Sequence, residues 1–497
     1  MRIAASSPAS RPAPNGYDSG LSAAERKRTG AWYTPPELVA HVVANAVGDV
    51  RPGEVVSVLD PACGDGRFLR AAAAAIEAQG GVAVLTGVDI DLGGMRSAAE
   101  NGSSTRVIEV IERDALAHDW GRRRFDVVVG NPPFLSQLAS ATARTGRSRF
   151  GGGPYADAAA DFLALAVRLA AEDGGRVGVV LPHALLTARD AGPIRSTVTN
   201  EAGLEWFWWS DDAMFDASVR TCAVGLSRSR PVQRGPVRRA SGSGFDVLPA
   251  VHPPAASANE HWGWLIADVL GVPDVPAVAS TSAVADHALT TANFRDQYYG
   301  LVGAVSDAGD GPPLITTGLI DVGECHWGKR PTRFAKQPYV APRVDRSRLA
   351  PFMQRWADRC LVPKVLVATQ TKVLEAVVDE DGAWLPAVPV IRLVPHLNID
   401  PVSVWEVAAV LTSPVASALI AGQSVGSGLS ATTVRVSQRT LGALPWPAGP
   451  LTQAVAALRD GDVIGCGRFV DAAYGVEDAT LSRWWLNGLS HQGTRSG

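Results

Sequence analysis

The chain has 497 residues, of which 46% are hydrophobic and 19% charged, and its formal net charge is −3. Such a length holds two or three domains with sizeable cores, and the near-neutral balance excludes a chain that is basic throughout, so any nucleic-acid surface has to be local. The five cysteines, at 63, 222, 325, 360 and 466, form no CxxC pair and no metal-ligand spacing, and no run reaches membrane-spanning length, which together read as a reduced, metal-free, cytoplasmic protein.

In chain order, residues 1–25 are rich in Ser, Pro, Ala and Gly and read as a disordered N-terminus. In Tyr33-Thr34-Pro35-Pro36-Glu37-Leu38-Val39, Thr34 reads as an N-cap, Pro35 as the first helical position and Glu37 as the acid of a capping box, with the helix continuing through Val43. The free N–H groups of that helix suit a carboxylate; the plain alternative is a well-capped surface helix. Val55–Leu59 is the first strand. It leads into Asp60-Pro61-Ala62-Cys63-Gly64-Asp65-Gly66 and then a helix from Arg67 to Ala78. A Gly-rich turn between strand and helix lets a ligand approach the backbone closely. It is not GxGxxG and no P-loop lysine follows, so nucleotide-phosphate binding is not favoured. The second strand ends at Asp89, where an acid can hold ribose hydroxyls, and the third, Val107–Ile111, ends near Asp114. Phe125–Gly130 is an apolar run of the kind that forms a buried parallel strand. Strands alternating with helices predict an α/β fold with a parallel, doubly wound sheet.

Just past the fourth strand stands Asn131-Pro132-Pro133-Phe134. Ligands bind at the carboxyl ends of strands in such sheets. The prolines stiffen the turn, Asn131 and the Pro132 carbonyl offer acceptor oxygens, and Phe134 offers a flat face. These groups suit a planar ring carrying an exocyclic amine; the plain alternative is a stiff turn with no chemistry.

Taken together, the DPACGDG turn, Asp89, Asp114 and the NPPF turn resemble the class I S-adenosylmethionine-dependent methyltransferases, in the branch that methylates exocyclic amines. The YTPPELV segment ahead of them sharpens the resemblance to the γ-type, TaqI-like adenine-N6 DNA methyltransferases. The resemblance implies a Rossmann-like catalytic domain over 26–230 and S-adenosylmethionine as cofactor. It places Thr34, Pro35 and Glu37 at the methionine end, with Asp60, Ala62, Cys63 and Gly64 lining the same moiety. It gives the ribose to Asp89 and the adenine face to Ile90, and brings Asp114 and Ala115 to the adenine amino group. Asp161-Phe162, in a helix expected to be amphipathic over Asp157–Ala171, falls where the family has another cofactor-pocket pair. Asn131, Pro132, Pro133 and Phe134 become the catalytic turn, with Phe134 standing where many relatives have Tyr. Phe215, ahead of a strand at Cys222–Leu226, matches the family position for a second ring against the target base.

Residues 231–290 read as a connector, 291–450 as a mixed α+β target-recognition domain and 451–497 as a helical end. Strands are expected at Leu314–Gly318, Val365–Thr369 and Val388–Leu393. Between the first two, residues 326–364 carry ten Lys or Arg against two Asp, a local charge of 10 − 2 = +8. Lys329, Arg330, Arg333, Arg343, Arg346 and Arg348 in this stretch are the expected contacts to double-stranded DNA; the plain alternative is a solvated charged face. The only ExK is Glu25-Arg26-Lys27, with no room for a nuclease domain before it. The expectation is therefore a modification enzyme, its nuclease or other defence-system subunits on separate chains. The alternatives are an RNA or protein-glutamine N-methyltransferase, and a non-catalytic recognition subunit on the same fold.

Overall fold

The computed structural model describes residues 34–93, 95, 107–134, 148–154, 156–210, 220–229, 232, 234–253, 261–396, 402–424 and 434–490. The 1–25 segment and Phe215 lie outside the described residues. Two units divide the chain: 1–185 with 189–253, and 186–188 with 254–497.

Short runs of Val, Leu, Ile and Trp build a nine-stranded sheet in the first unit. Its strands are β1 (Val55–Asp60), β2 (Val82–Asp89), β3 (Val107–Glu112), β4 (Val127–Gly130), β5 (Arg176–Pro182), β6 (Ala202–Trp209), β7 (Thr221–Arg228), β8 (Val237–Ser241) and β9 (Asp246–Val251), in the order β3-β2-β1-β4-β5-β7-β6-β8-β9. The first five are parallel, in the registers Asp60↔Gly87, Val58↔Val127 and Val129↔Gly178. β7 is antiparallel to both β5 and β6. The order reverses between β1 and β4, so the connections leaving their carboxyl ends part there and open a crevice.

Helices α1 (Pro36–Val47), α2 (Arg67–Glu77), α3 (Ala158–Leu169) and α4 (Gly192–Glu201) belong to this unit. Leu38, Val42 and Ala46, at helical spacing on α1, pack into one core with Val58, Val127, Val180 and Trp206. β4 is shorter than the apolar run predicts, because the Asp126 carboxylate turns aside to accept from the Ser57 N–H (2.8 Å) and Oγ (2.6 Å), and Phe125 makes only an isolated bridge to Ala170. α3 is not the amphipathic helix expected: every residue except Arg168 is buried. Its alanines make all faces apolar, which hides the buried periodicity from a sequence scan. The expected connector is also corrected, since residues 237–251 add β8 and β9 to the sheet. Arginine conceals β8 in the sequence, yet Arg239 is buried and its Nε donates to the Pro249 carbonyl at 2.7 Å.

In the second unit, β10 (Ala288–Ala292), a hairpin of β11 (Thr332–Phe334) and β12 (Gln337–Tyr339), β13 (Lys364–Val367), β14 (Ala376–Asp379) and β15 (Ile391–Pro395) are the main strands. β10, β15, β13 and β14 form an antiparallel four-stranded sheet in that order. The main helices are α5 (Arg295–Leu301), α6 (Pro351–Cys360), α7 (Val404–Leu411), α8 (Pro414–Ser424), α9 (Thr452–Arg459), α10 (Val463–Ala473) and α11 (Ala479–Ser490). α7 and α8, the most apolar of them, are buried in the core with the sheet and α9–α11. Among the described residues no single helix is long and apolar enough to cross a membrane.

Lys364, counted above in the basic stretch, corrects that count. It is 0% exposed, its ammonium pairs with Asp379 and it donates to the Val362 carbonyl at 3.2 Å. Asp379 also accepts from Ala383 N and Trp384 N, each at 2.9 Å.

Another buried carboxyl sets a pH dependence. Asp471 on α10 accepts from the Val415 N–H at the start of α8 at 3.2 Å, and burial pushes it up to about 7. The folded state therefore holds the proton more tightly than the unfolded chain, whose aspartate titrates near pH ~4. The stability Asp471 contributes is complete below that value and is lost as pH rises towards 7. Thermal melts at pH 5 and pH 8 are expected to show a lower transition for the second unit at pH 8. Asp471→Asn, which keeps the acceptor, should flatten that difference.

Candidate active site

The site is assembled where β1 and β4 end. Asp60, the last residue of β1, is 1% exposed. One carboxylate oxygen accepts from the Ala62 N–H at 3.0 Å; the other is buried with no hydrogen-bond partner among the described residues. Burial holds this carboxyl well above the usual range. Gly130 at the end of β4 is needed beside it, because a Cβ there would stand 2.5 Å from Asp60 Oδ1.

The turn after β1 closes with Gly66 in the left-handed region (φ 77°), which starts α2. Within the turn, the Gly64 N–H donates to Asp89 at 2.8 Å, so the end of β2 supports the Gly-rich loop directly. The other Asp89 oxygen accepts from the Asp91 N–H at 3.1 Å, and burial raises this carboxyl too. Ile90, the next residue, is 71% exposed, an apolar side chain left standing beside an acid. Burial, reinforced by Asp60 and Asp89, pushes the Cys63 thiol up, so it is a small wall of the turn and not a nucleophile.

Thr34 is not the N-cap that the sequence predicts. Pro35 holds that position, the helix begins at Pro36, and Glu37 sits exposed at its second residue. The Thr34 hydroxyl is used elsewhere: it accepts from Asn131 Nδ2 at 3.0 Å, across 97 positions of sequence. Thr34 is 2% exposed, and its carbonyl accepts from the Arg67 guanidinium. Arg67 pairs in turn with Asp65 at 2.7 Å. Arg67 escaped the sequence reading, yet there was a signal. A cation in the first turn of a helix opposes the helix dipole, and its presence there calls for a specific partner.

Asn131 is half-buried, Pro132 buried, and Pro133 and Phe134 half-buried, with the Phe134 ring packed on the core beneath α1 and α2. Asp114 and Ala115 lie in a separate turn after β3, where Asp114 accepts from the Leu116 N–H at 3.0 Å and Ala115 is buried. That turn is tied onward. Arg149 donates to the Leu116 carbonyl at 2.9 Å, and the neighbouring Ser148 hydroxyl donates to buried Asp161, beside buried Phe162. The Gly151–Gly153 segment is anchored at this end: Gly152 N–H donates to Ser148 Oγ (2.8 Å) and Gly153 N–H to the Asp190 carbonyl (2.7 Å).

Of the expected DNA contacts, Lys329 pairs with Glu324 at 3.1 Å and Arg330 grips Asp321 through both nitrogens. Arg343 donates to the Gly311 carbonyl at 2.8 Å and lies 4.5 Å over the Trp327 ring. Arg346 pairs with Asp358, and Arg348 lies 3.6 Å from Asp345. Arg333 is exposed.

Residues 19–238 match the family described as N-6 DNA Methylase. Among solved structures, the chain is similar to the type I restriction-modification methyltransferase subunit from Streptococcus thermophilus, at 21% identity over 50% of this chain and 54% of that one, with a TM-score of 0.35. It is similar to the M protein of the type I restriction enzyme EcoKI at 19% identity, covering 44% and 51%, with a TM-score of 0.35. Against the type IIG restriction endonuclease BpuSI the identity is 12%, the coverage 94% and 64%, and the TM-score 0.41. The chain thus spans about half the length of the two type I subunits.

Proposed function

We propose that this chain, whose residues 19–238 carry the N-6 DNA Methylase pattern, transfers a methyl group from S-adenosylmethionine to the N6 amine of adenine in double-stranded DNA, as the modification part of a restriction-modification system. The observation that carries the reading is the pairing of two turns at the switch point. The stiff Asn131–Phe134 turn is pinned through Thr34 beside the Gly-rich turn of β1, where Asp60 keeps a buried oxygen without a partner among the described residues.

The residues present fit the cofactor. Asp60 and the turn at Ala62–Gly64 would hold the methionine end, Asp89 the ribose and Ile90 one face of the adenine. When bound, S-adenosylmethionine supplies an electrophilic methyl carbon. The acceptor chemistry falls to the chain's own residues. Adenine's amine is a poor nucleophile because its lone pair is delocalised into the ring. Hydrogen bonds from that amine to Asn131 Oδ1 and the Pro132 carbonyl would localise the pair on nitrogen, and the Thr34 bond to Nδ2 orients the amide for it. Phe134 would stack on the base and attract the positive charge that develops on nitrogen, worth about 1–2 kcal/mol. A base inside a duplex cannot reach this turn, so it has to be rotated out of the stack.

The test is methyl incorporation into duplex DNA by the purified chain, followed by nucleoside digestion. N6-methyladenine in a fixed sequence context is expected; methyl groups appearing only in RNA or protein, or not at all, would overturn the reading. In the same assay Asp89→Ala should weaken S-adenosylmethionine binding by roughly ten- to a hundredfold, since a charged hydrogen-bond acceptor is lost. Asp89→Asn, which can still accept from Gly64, should lose less. Unchanged affinity by calorimetry for the alanine variant would remove Asp89 from the ribose site.

A further inference from the structure

Most cations of the basic stretch of the second unit already have partners within the chain. Lys364 is buried against Asp379, and Lys329, Arg330, Arg346 and Arg348 have carboxylate partners. Arg343 is held by the Gly311 carbonyl and the Trp327 ring. Arg333, Lys336, Arg355 and Arg359 are exposed and have no side-chain partner among the described residues. Arg355 and Arg359 sit on α6, whereas Arg333 and Lys336 sit on the β11–β12 hairpin.

That hairpin is built in an unusual way. Its strands pair Thr332↔Tyr339, Arg333↔Pro338 and Phe334↔Gln337, leaving Ala335 and Lys336 as a two-residue turn. Both turn residues have positive φ, 49° and 67°. Such a turn ordinarily takes Asn-Gly, because a Cβ is strained at positive φ. The strain is held by the base of the hairpin. Phe334 is 4% exposed, its ring lies 5.2 Å from that of Tyr298 on α5, and it packs with Met353 and Trp356 of α6. Strand alternation then turns Arg333 outward while Phe334 points in. A rigid ribbon therefore carries two unneutralised cations at and beside its tip, at the cost of two strained residues that a commoner turn would avoid. Strain retained at an exposed, charged tip indicates a binding element.

We infer that the tip, Ala335–Lys336 with Arg333, is a contact element for the phosphate backbone of duplex DNA; this rests on the DNA-modification reading above. A two-stranded ribbon fits along a groove, and unpaired Lys and Arg on it displace counterions from phosphates. Arg330 and Arg343 are instead part of the scaffold behind it.

The test uses the full chain and a duplex of its own substrate, titrated at several salt concentrations. Replacing Ala335-Lys336 by Asn-Gly removes the charge and relieves the strain together. This variant should melt a few degrees higher, which a damaged fold would not, yet bind the duplex roughly tenfold more weakly, with the slope of log K against log salt reduced by about 1. Arg333→Gln should reduce the slope similarly, while Lys372→Gln, which removes an exposed charge elsewhere in the unit, serves as the control. If the wild type binds the duplex and both hairpin variants keep its affinity and slope, the hairpin is not the contact. If the wild type binds no duplex at all, the DNA reading itself falls, and this inference with it.

Discussion

Asn131→Ala is expected to reduce methyl transfer by roughly a thousandfold while changing S-adenosylmethionine affinity only slightly, in keeping with the loss of one preorganised hydrogen-bonding group aimed at a reacting atom. The Nδ2 of this side chain donates to Thr34 at 3.0 Å, so Oδ1 is the acceptor that would meet an amine. The elements proposed to hold the cofactor, Asp60, Gly64 and Asp89, make their own hydrogen bonds without Asn131. Removing the amide should therefore separate chemistry from cofactor binding. Single-turnover rates beside calorimetric affinities measure both. Near-wild-type turnover would show that the amide is only a turn residue. Loss of affinity and rate in equal proportion would show that it belongs to the cofactor pocket.

A larger effect on stability is expected at Lys364. Its ammonium and the Asp379 carboxylate are 0% and 2% exposed, and burial pulls the lysine down while Asp379 holds it up. Taking away one partner of such a pair leaves an uncompensated buried charge, which costs about 3–5 kcal/mol. Lys364→Met fills similar space and leaves Asp379 with only its two backbone N–H donors and no counter-charge. The urea midpoint of the second unit should fall accordingly, with the first unit's transition unmoved. A loss under about 1 kcal/mol would mean that the pair is neutral overall, like an exposed ion pair.

Lys364 also shows where reading from sequence stops. A charge count treats every lysine alike, whereas the inward face of β13 is set by pairing with β14 and β15. β1, β2 and β4 were legible because they are short apolar runs ending in Asp or Gly. The Asn131–Phe134 turn stands past β4 as that pattern predicts. β8 and β9 were not legible, because Arg238 and Arg239 interrupt the apolar signal while the Arg239 stem is buried. The α1 cap was misplaced for another reason. Local rules assign a threonine before two prolines to the helix, and nothing local reveals that its hydroxyl is engaged by Asn131. Arg67 was missed because its partners, the Thr34 carbonyl and Asp65, meet only after folding.

The docking of α1 has a consequence for the order in which the chain matures. Although α1 precedes every strand, it rests on partners that come much later. Its Ala46 and Val42 press against Gly178 on β5, its His41 ring meets Trp206 at 6.0 Å, and the carbonyl of its last residue, Val47, accepts from Arg176. A ribosome delivers those partners some 130 residues after α1, which at roughly 5–20 residues per second is a wait of about 6 to 26 seconds. Until then α1 can pack only on α2, β1 and β4, and the part of its apolar stripe that meets β5 and β6 stays uncovered. The glycine turn and the proline turn can each form early, but the docking of α1 beside Thr34 is completed only when β5 and β6 have been made. A nascent chain that has emerged only as far as the Asn131–Phe134 turn would thus carry every residue of that turn on a core still missing β5 to β9.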